Sequence, residues 1–599
     1  MQVQAEQQHQ AEQQEQAPIT RLGKFKQLLT RIGFEEKAFQ VECFQWCLEK
    51  EERGVSIEIH IDSDSDSEVV KKYQIHGGIL ALEMGLGKTV IMLGLIACNI
   101  KRHTLIILPL ALIEQWKKII KMHFGHDALV YHGGSARIRQ MSHSDIWTHP
   151  IVITTYGQIS LPSETQITNG RKMSILHDFE WDRIICDEAH NASHRKTNNH
   201  QGILSLKAHI KWLVTGTPIQ NSMKELYSMY DILGVPVSAY REREAAQSAS
   251  EAAQSEAAQS ADPAQAPSEA DAVQSAGAAP SEADAVQNHF VYHRTKASVG
   301  IRIPSLHQTT TAVPWKNESE RIFASHIHSF VDLCHIEKKS VATYITDTEE
   351  ESANTLRLKY MMRAKKTCIH PPLLTPQIKD FVTLLPSAGE AAAITSAYNG
   401  FNVLDLKYNS DSKMDAFLHT LVARLQNGNG KIVFCHYYDE IDHIETRLNR
   451  LCLANPIRIA KFDGRVPQKN RSTVLDAPAD VLLAQIKMCR EGLNLQEKYS
   501  EVYFPLPHFN PAVEEQAIAR CWRIGQQKEV HVFRFIMNNP DSNTAYGNKS
   551  NDVSDSNDVS DSNDVSDSNG ATMYSMDSYT RLVQEKKRVI IKKFESTNK

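Results

Sequence analysis

Two short segments hold residue types that together could bind and break a phosphoanhydride: MGLGKT at residues 84–89 and DEAH at residues 187–190. Gly85 and Gly87 carry no side chain to stop backbone N–H groups turning toward phosphate oxygens. Lys88 sets a positive charge beside the outer phosphates, and the Thr89 hydroxyl can ligate magnesium. The apolar run VIMLGLIACNI that follows predicts a helix whose positive end faces the anion. The run GILAL at 78–82 predicts the strand that feeds the loop. A strict phosphate loop has Gly where Leu82 stands, so this segment alone also suits an ordinary strand–helix turn. Asp187 closes the apolar strand WDRIIC and can hold magnesium through its hydration shell, while Glu188 can polarise an attacking water. In open α/β sheets such residues gather at the carboxyl ends of strands. An acidic loop after a strand is common; the two motifs in this order are much less so by chance.

A third segment lies far downstream, QAIARCWR at 516–523. On a helix, Gln516, Arg520 and Arg523 fall at spacings of four and three and share a face. Two guanidiniums aimed at one point suit a triphosphate transition state; a solvated basic face is the plain alternative. If they belong to a different lobe from the phosphate loop, hydrolysis must open and close a cleft, and cleft cycling can move a chain along a polymer.

The elements that must position these groups follow from hydrophobic pattern. GGILAL, TLIILP, ALVYH, PIVITTY, DRIICDEAH and KWLVTGTP alternate with helical stretches, which predicts a doubly wound parallel sheet over the first part of the chain. KIVFCH, IRIAKFDG, VLLAQI, SEVYFPLP and HVFRF predict a second α/β sheet. The expected order is a disordered Gln-rich tail (1–18), a nucleotide-binding lobe (19–240), a low-complexity linker (241–288), a mainly helical inter-lobe region (289–400), a second lobe (401–540), an Asp/Ser/Asn insert (541–571) and a basic amphipathic helix (572–599). Residues 244–287 hold eight acidic residues and no Lys or Arg, and the NDVSDS repeats hold six Asp. Setting these 14 charges aside takes the net charge from −5 to +9, a mildly basic body compatible with a phosphate-backbone partner. The biased tracts are too poor in large apolar residues to build a core. No apolar run reaches the ~20 residues of a membrane span, and the N-terminus has no apolar signal region. The ten Cys include no Cys-x-x-Cys pair, which argues against a zinc finger; Cys43 and Cys47 read as buried thiols on a helix.

Between residues 37 and 526 the motifs run in an order that resembles the Swi/Snf-family ATPases, within the superfamily-two helicase-like motors. KAFQVECFQW resembles the nucleotide-sensing Gln motif, and GGILALEMGLGKT motif I. LIILPLALIEQW and VITTYGQI resemble motifs Ia and Ib, DEAH motif II, and WLVTGTPIQNSMKELYSMYDIL motif III with its family extension. YHRTK and KTCIHPPLL resemble inter-lobe signatures; KIVFCHYYDEI, EGLNLQ and QAIARCWRIGQ resemble motifs IV, V and VI. TGTPIQN and the RIGQ ending are specific to this family. The resemblance implies two RecA-like lobes, with ATP and Mg2+ as cofactors. It implies ATP contacts from Gln40, Met84, Gly85, Leu86, Gly87, Lys88, Thr89 and Gln516, magnesium at Thr89 and Asp187, and catalysis by Lys88, Asp187, Glu188, Arg520 and Arg523. It implies sequence-tolerant, salt-sensitive contacts to double-stranded DNA, with Trp116, Thr155 and Asn494 as the candidate residues.

The chain departs from the family at Leu82, where an acidic residue is usual, at Cys43, where Gly is usual, and at Cys489-Arg490, which replace a Gly pair. None of these removes Lys88, Asp187, Glu188, Arg520 or Arg523. The expectation is an ATP-dependent double-stranded DNA translocase that remodels or displaces DNA-bound proteins, nucleosomes or transcription machinery among them, and works as a monomeric motor. A strand-separating DNA or RNA helicase and a catalytically dead DNA-binding scaffold are the alternatives. The compact motor and its simple-sequence inserts resemble motors of large DNA viruses, which implies a viral factory or virion; a nuclear eukaryotic protein is the rival reading.

Overall fold

The computed structural model describes residues 20–61, 69–133, 138, 140–170, 172–236, 289–318, 320–325, 327–328, 353–371, 373–374, 411–451, 456–467, 470–488, 493–540 and 575–597. The expected tail at 1–18, the linker at 241–288, the insert at 541–571 and Cys489-Arg490 lie outside them. The chain divides into two units, one of Met1–Arg302 with Val589–Lys599 and one of Ile303–Arg588.

The first unit is built on an eight-stranded sheet: β1 (Val55–Ile61), β2 (Val69–Leu82), β3 (Thr104–Leu108), β4 (Leu129–Tyr131), β5 (Ile151–Thr155), β6 (Glu180–Asp187), β7 (Lys207–Val214) and β8 (Val291–Arg294). Its order is β1-β2-β7-β6-β3-β5-β4, with β8 also on β2. All pairs are parallel except the β1–β2 hairpin. The strands are apolar on both faces because helices and loops cover both. Leu105 and Ile107 of β3 enter one core with Ile184 of β6 and Leu213 of β7. Ile106 and Leu108 enter the other, with Phe25, Phe44 and the Lys88–Cys98 helix. That two-sided burial fixes where β2 and β6 end, and both chemical motifs begin at those ends.

The second unit has a six-stranded, wholly parallel sheet of β9 (Leu306–Val313), β10 (Gly430–Cys435), β11 (Ile459–Phe462), β12 (Val481–Gln485), β13 (Tyr499–Phe504) and β14 (Val530–Met537), in the order β11-β12-β10-β13-β14-β9. Val433 and Cys435 face one core, Ile432 and Phe434 the other. The helix Met576–Thr597 starts against this unit. Ser575 Oγ accepts from Ser578 N at 3.2 Å, and Asp577 accepts from Met537 N at 3.0 Å and from the buried Lys413 ammonium. No helix among the described residues is long and apolar enough to cross a membrane.

Two expectations are corrected. The region from 289, expected to be mainly helical, opens with two strands: β8 completes the first sheet and β9 edges the second. Phe290 and Val291 are buried beside β2, and the β-branched run Thr309-Thr310-Thr311 suits a sheet edge. The described stretch Ala353–Thr367 is helical. The motif VI helix is shorter than its spacing predicts, spanning only Pro511–Ile518. Asn510 caps its start, but the chain then tightens: Arg520 N reaches Ala517 O at 3.1 Å, and Leu495 N takes the Arg520 carbonyl at 3.1 Å. Trp522 Nε1 donates to Pro304 O at 2.8 Å, and Gln526 Nε2 donates to Cys521 O at 3.1 Å. These tertiary bonds outweigh helix continuation, so Gln516 stays on the helix while Arg520 and Arg523 lie in the turns beyond it.

Candidate nucleotide site

Strand β2 ends at Leu82, and the loop that follows turns on glycines with positive φ, Gly85 at 93° and Gly87 at 91°. At Gly87 the need is twofold, because a Cβ there would also meet Gln40 Nε2 at 2.6 Å. Gln40, on the helix Ala38–Glu52, is buried and donates to Leu86 O at 3.2 Å. Its Oε1 is buried with no hydrogen-bond partner. Leu86 and Met84 are buried, so they contribute backbone to the loop rather than exposed side chains. Lys88 Nζ donates to Leu82 O at 2.9 Å and lies 3.1 Å from where a Cβ on Gly216 would sit. Gly216 belongs to the TGTP segment, so motif III passes directly over the lysine. Thr89 follows in the first turn of the helix.

Asp187 ends β6 with one hydrogen bond to each carboxylate oxygen. Oδ1 accepts from Glu188 N at 3.0 Å, and Oδ2 accepts from Trp116 Nε1 at 2.9 Å. Burial, and then the neighbouring Glu188 charge, push its pKa up to about 6, against the pull of the indole bond and Lys88. Glu188 has φ 52°, the sole non-glycine among the described residues with positive φ. A carboxylate residue held in that region stores strain, which the surroundings must impose. They do so through its carbonyl, which accepts from Asn191 N at 3.0 Å and Asn191 Nδ2 at 2.9 Å. Glu188 Oε2 is buried without a hydrogen-bond partner and lies 3.4 Å from His190 Nδ1. His190 Nδ1 also lies 3.2 Å from Thr215 Oγ1, which accepts from Thr217 N at 3.1 Å. Motifs I, II and III therefore form one connected group.

Glu83 is a positioning residue that the motifs did not flag. Its N–H donates to Arg294 O at 2.9 Å, its Oε2 accepts from Lys296 N at 2.7 Å, and its Oε1 lies 2.8 Å from the buried Lys296 Nζ. YHRTK, read as an inter-lobe signature, thus clamps the phosphate loop within the first unit. A carboxylate directly before MGLG was the available signal.

The DNA-contact residues fare differently. Trp116 is 1% exposed, with its indole on Asp187, so its side chain offers no surface to a polymer, which corrects the expectation of a side-chain DNA contact there. The cause is the amphipathic helix Ile113–Phe124, whose apolar face carries Trp116 inward. Thr155 is buried at the end of β5, with Oγ1 3.0 Å from His132 Nδ1. Asn494 sits in the second unit, where its Oδ1 accepts from Arg523 Nη1 at 2.6 Å. Burial lowers the pKa of Arg523, while Gln516 and Arg520 are buried beside it in sequence.

Thr89, Asp187 and Glu188 offer hydroxyl and carboxylate oxygens, the donors a hard divalent cation selects. The partnerless Glu188 Oε2 adds an oxygen that the protein itself leaves unsatisfied. The donor set fits magnesium, and Thr89 and Asp187 are the residues that would hold it.

A model of the SNF2-related domain matches residues 39–373, and one of the helicase conserved C-terminal domain matches residues 412–525. DNA repair protein RAD5B of Arabidopsis thaliana is 26% identical over 86% of this chain and 48% of its own length. The DNA excision repair protein ERCC-6-like of Danio rerio is 26% identical over 77% of this chain and 33% of its own. The chain thus spans between a third and a half of these two relatives. The probable global transactivator of Orgyia pseudotsugata multicapsid polyhedrosis virus is 24% identical over 79% of this chain and 84% of its own. Among solved structures, the SWI2/SNF2 ATPase core of Sulfolobus solfataricus in complex with dsDNA aligns with 84% of this chain and 88% of its own at 18% identity and a TM-score of 0.33. With more than half of its length matched by a single domain model, this chain belongs to the SNF2-related family.

Proposed function

We propose that this protein is an ATP-dependent translocase on double-stranded DNA that remodels or displaces bound proteins, with hydrolysis coupled to closure of two lobes. The observation that carries the reading is the grouping of Lys88 beside Gly216, Asp187 hydrogen-bonded to Glu188 N, and Glu188 linked through His190 to Thr215 at the strand ends of the first unit. Gln40 Oε1, buried and unsatisfied, is an acceptor for the exocyclic amine of adenine. The loop N–H groups and Lys88 hold the phosphates, and Glu188 takes the water proton. When bound at Thr89 and Asp187, magnesium neutralises charge on the phosphate oxygens. His190 and Thr215 report the state of Glu188 to motif III. Arg520 and Arg523 supply guanidiniums to the transition state as the lobes close. Relatives named for DNA repair and for transactivation support DNA as the track; nucleosomes or transcription machinery as the obstacle, and a nuclear or viral-factory setting, belong to the same proposal.

ATP turnover measured with duplex DNA, single-stranded DNA or RNA as stimulant tests this directly. Duplex is expected to stimulate most, with no unwinding of a blunt duplex. Preferential stimulation by RNA, or strand separation from a blunt end, would replace the translocase with a helicase; no turnover under any condition would leave a binding scaffold.

A further inference from the structure

Outside the nucleotide site, the second unit gathers metal-ligating side chains from three separated stretches: His370 beyond the helix Ala353–Thr367, Asp411 at the start of the helix Ser412–Ala423, and His443 on the helix Tyr438–Asn449. Asp411 Oδ2 lies 3.0 Å from His370 Nδ1 and 3.0 Å from His443 Nε2. One ligand atom from each residue falls within 4.8 Å of the other two. The imidazole rings stack with centroids 3.8 Å apart and planes 19° from parallel. The Asp411 side chain is fully buried, His370 is 8% exposed and His443 16%.

The arrangement is not satisfied by its own members. Asp411 occupies an N-cap position, where a carboxylate ordinarily accepts from its own helix, yet it makes no cap hydrogen bond and turns to the histidines instead. Asp411 Oδ1 is buried without a hydrogen-bond partner. So is His370 Nδ1, whose approach to Oδ2 has the distance but not the direction of a hydrogen bond. Each such orphan is costly in a core, so a molecule that keeps both has a reason outside its own hydrogen bonding.

We propose that His370, Asp411 and His443 form a binding site for one borderline divalent transition-metal ion, best matched by zinc. Two imidazoles and a carboxylate are the donors that zinc accepts, whereas magnesium and calcium select oxygen. Tetrahedral zinc with bonds of ~2.0–2.2 Å keeps donor atoms ~3.3–3.6 Å apart; the two Asp411–histidine separations of 3.0 Å are near that, and the stacked rings must turn for both nitrogens to face one ion. Arg447 is the competing cation, with Nη1 3.5 Å from Asp411 Oδ2. Its Nη2 already pairs with Asp415 at 2.5 Å, so the guanidinium keeps a partner when the metal takes Asp411. Glu320, whose Oε2 accepts from Ser412 Oγ at 2.5 Å, is likewise engaged elsewhere. The metal would staple the 353–374 stretch to two helices that flank β10, independently of ATP binding.

The test uses the full chain, stripped with a chelator and then loaded with Co2+ or titrated with Zn2+ against a chromophoric competitor. The wild type is expected to bind one equivalent more Zn2+ than His443→Gln and to show the visible bands of four-coordinate cobalt. His443→Gln should lose those bands and bind zinc ~10-fold or more weakly, since a ligand matters at least as much as its outer-shell partners. Its unfolding in chelator should match the wild type in chelator. His370→Cys, at the position that ligates through the near ring nitrogen Nδ1, should keep the site and add a sulfur-to-cobalt charge-transfer band, a gain of signal that fold damage cannot mimic. Absence of four-coordinate bands in the wild type, their persistence in folded His443→Gln, or no new band in His370→Cys would each reduce the cluster to an ion-pair network and overturn the proposal.

Discussion

Lys88 and Glu188 sit at one site, yet they fail differently when changed. Lys88 is tethered on Leu82 O; in the proposed role it carries charge to the outer phosphates, so Lys88→Ala is expected to weaken ATP binding and to abolish turnover. Glu188→Gln keeps the shape while removing the base, so ATP should still bind and turnover alone should vanish. Near wild-type turnover in Glu188→Gln would show that another group polarises the water. Asp187 adds a pH signature. Its carboxyl in the folded protein titrates at about 6, above the ordinary 3.8, because burial and Glu188 disfavour the charged form. Protons therefore bind the folded state more tightly than the unfolded one. The contribution of Asp187 to the stability of the nucleotide-free protein should rise as pH falls through 6 toward 4, and its ionised form carries a cost above pH 6. Asp187→Asn is expected to stabilise the nucleotide-free protein at pH 7.5 by on the order of 1 kcal/mol, a gain that fades below pH 6, while losing magnesium-dependent ATP affinity. Thermal unfolding of both proteins across pH 4.5–8 is the measurement; a pH-independent difference would show that the raised pKa is not felt by the fold.

At the scale of elements, the site is held by a buried ionic network remote from it. Arg183 of β6 donates through Nε to Glu51 Oε1 at 2.6 Å and through Nη2 to Oε2 at 2.5 Å; both side chains are fully buried. Asn99 Nδ2 reaches Oε2 at 2.6 Å, and Trp212 Nε1 of β7 reaches Oε1 at 2.8 Å. One carboxylate thus ties the helix of Gln40 to the strands of DEAH and TGTP and to the end of the phosphate-loop helix. Arg183→Met should cost ~3–5 kcal/mol, because Glu51 is left charged and underpaired, and adding Glu51→Gln should recover much of that loss. Urea unfolding of the full chain would read it; a single variant within 1 kcal/mol of wild type would show that the network contributes little. None of this was visible in the residue string, where Glu51 is one of several charges in EKEER and Arg183 interrupts an apolar strand. The end of β2 and the strands β3 to β7 and β10 to β14 were legible because buried parallel strands are short apolar runs between turn residues. β1, β8 and β9 were not: β1 alternates polar and apolar residues, β8 has four residues and β9 is mostly polar. The phosphate loop and DEAH were legible since their chemistry is local. The placement of Trp116 and the end of the motif VI helix depend on partners far off in sequence, which no spacing rule carries.

For the whole molecule, the coupling proposal rests on Arg523. A guanidinium that acts only in the transition state must be kept charged and aimed while the site is open. Arg523 is aimed within its own unit: Asn494 Oδ1 accepts from Nη1 at 2.6 Å, and the adjoining turns are pinned by Trp522 and Gln526. That tether gives Asn494 a second role beside the DNA contact proposed for it, linking motif V to motif VI. Removing a transition-state guanidinium typically costs ~10³-fold or more in turnover, whereas a ground-state phosphate contact costs less. Arg523→Ala is therefore expected to leave ATP binding and duplex binding nearly intact and to eliminate duplex-stimulated hydrolysis. Arg523→Lys should not rescue it, because a point charge cannot reproduce the planar fork. Asn494→Ala should give an intermediate loss, since the guanidinium remains but loses its aim. Arg520→Ala should resemble Arg523→Ala, with some loss of ATP affinity. Nucleotide binding, duplex binding and turnover measured on the same preparations separate these cases. Strong duplex stimulation persisting in Arg523→Ala would mean that motif VI is structural in this chain and that closure of two lobes is not how DNA governs its chemistry.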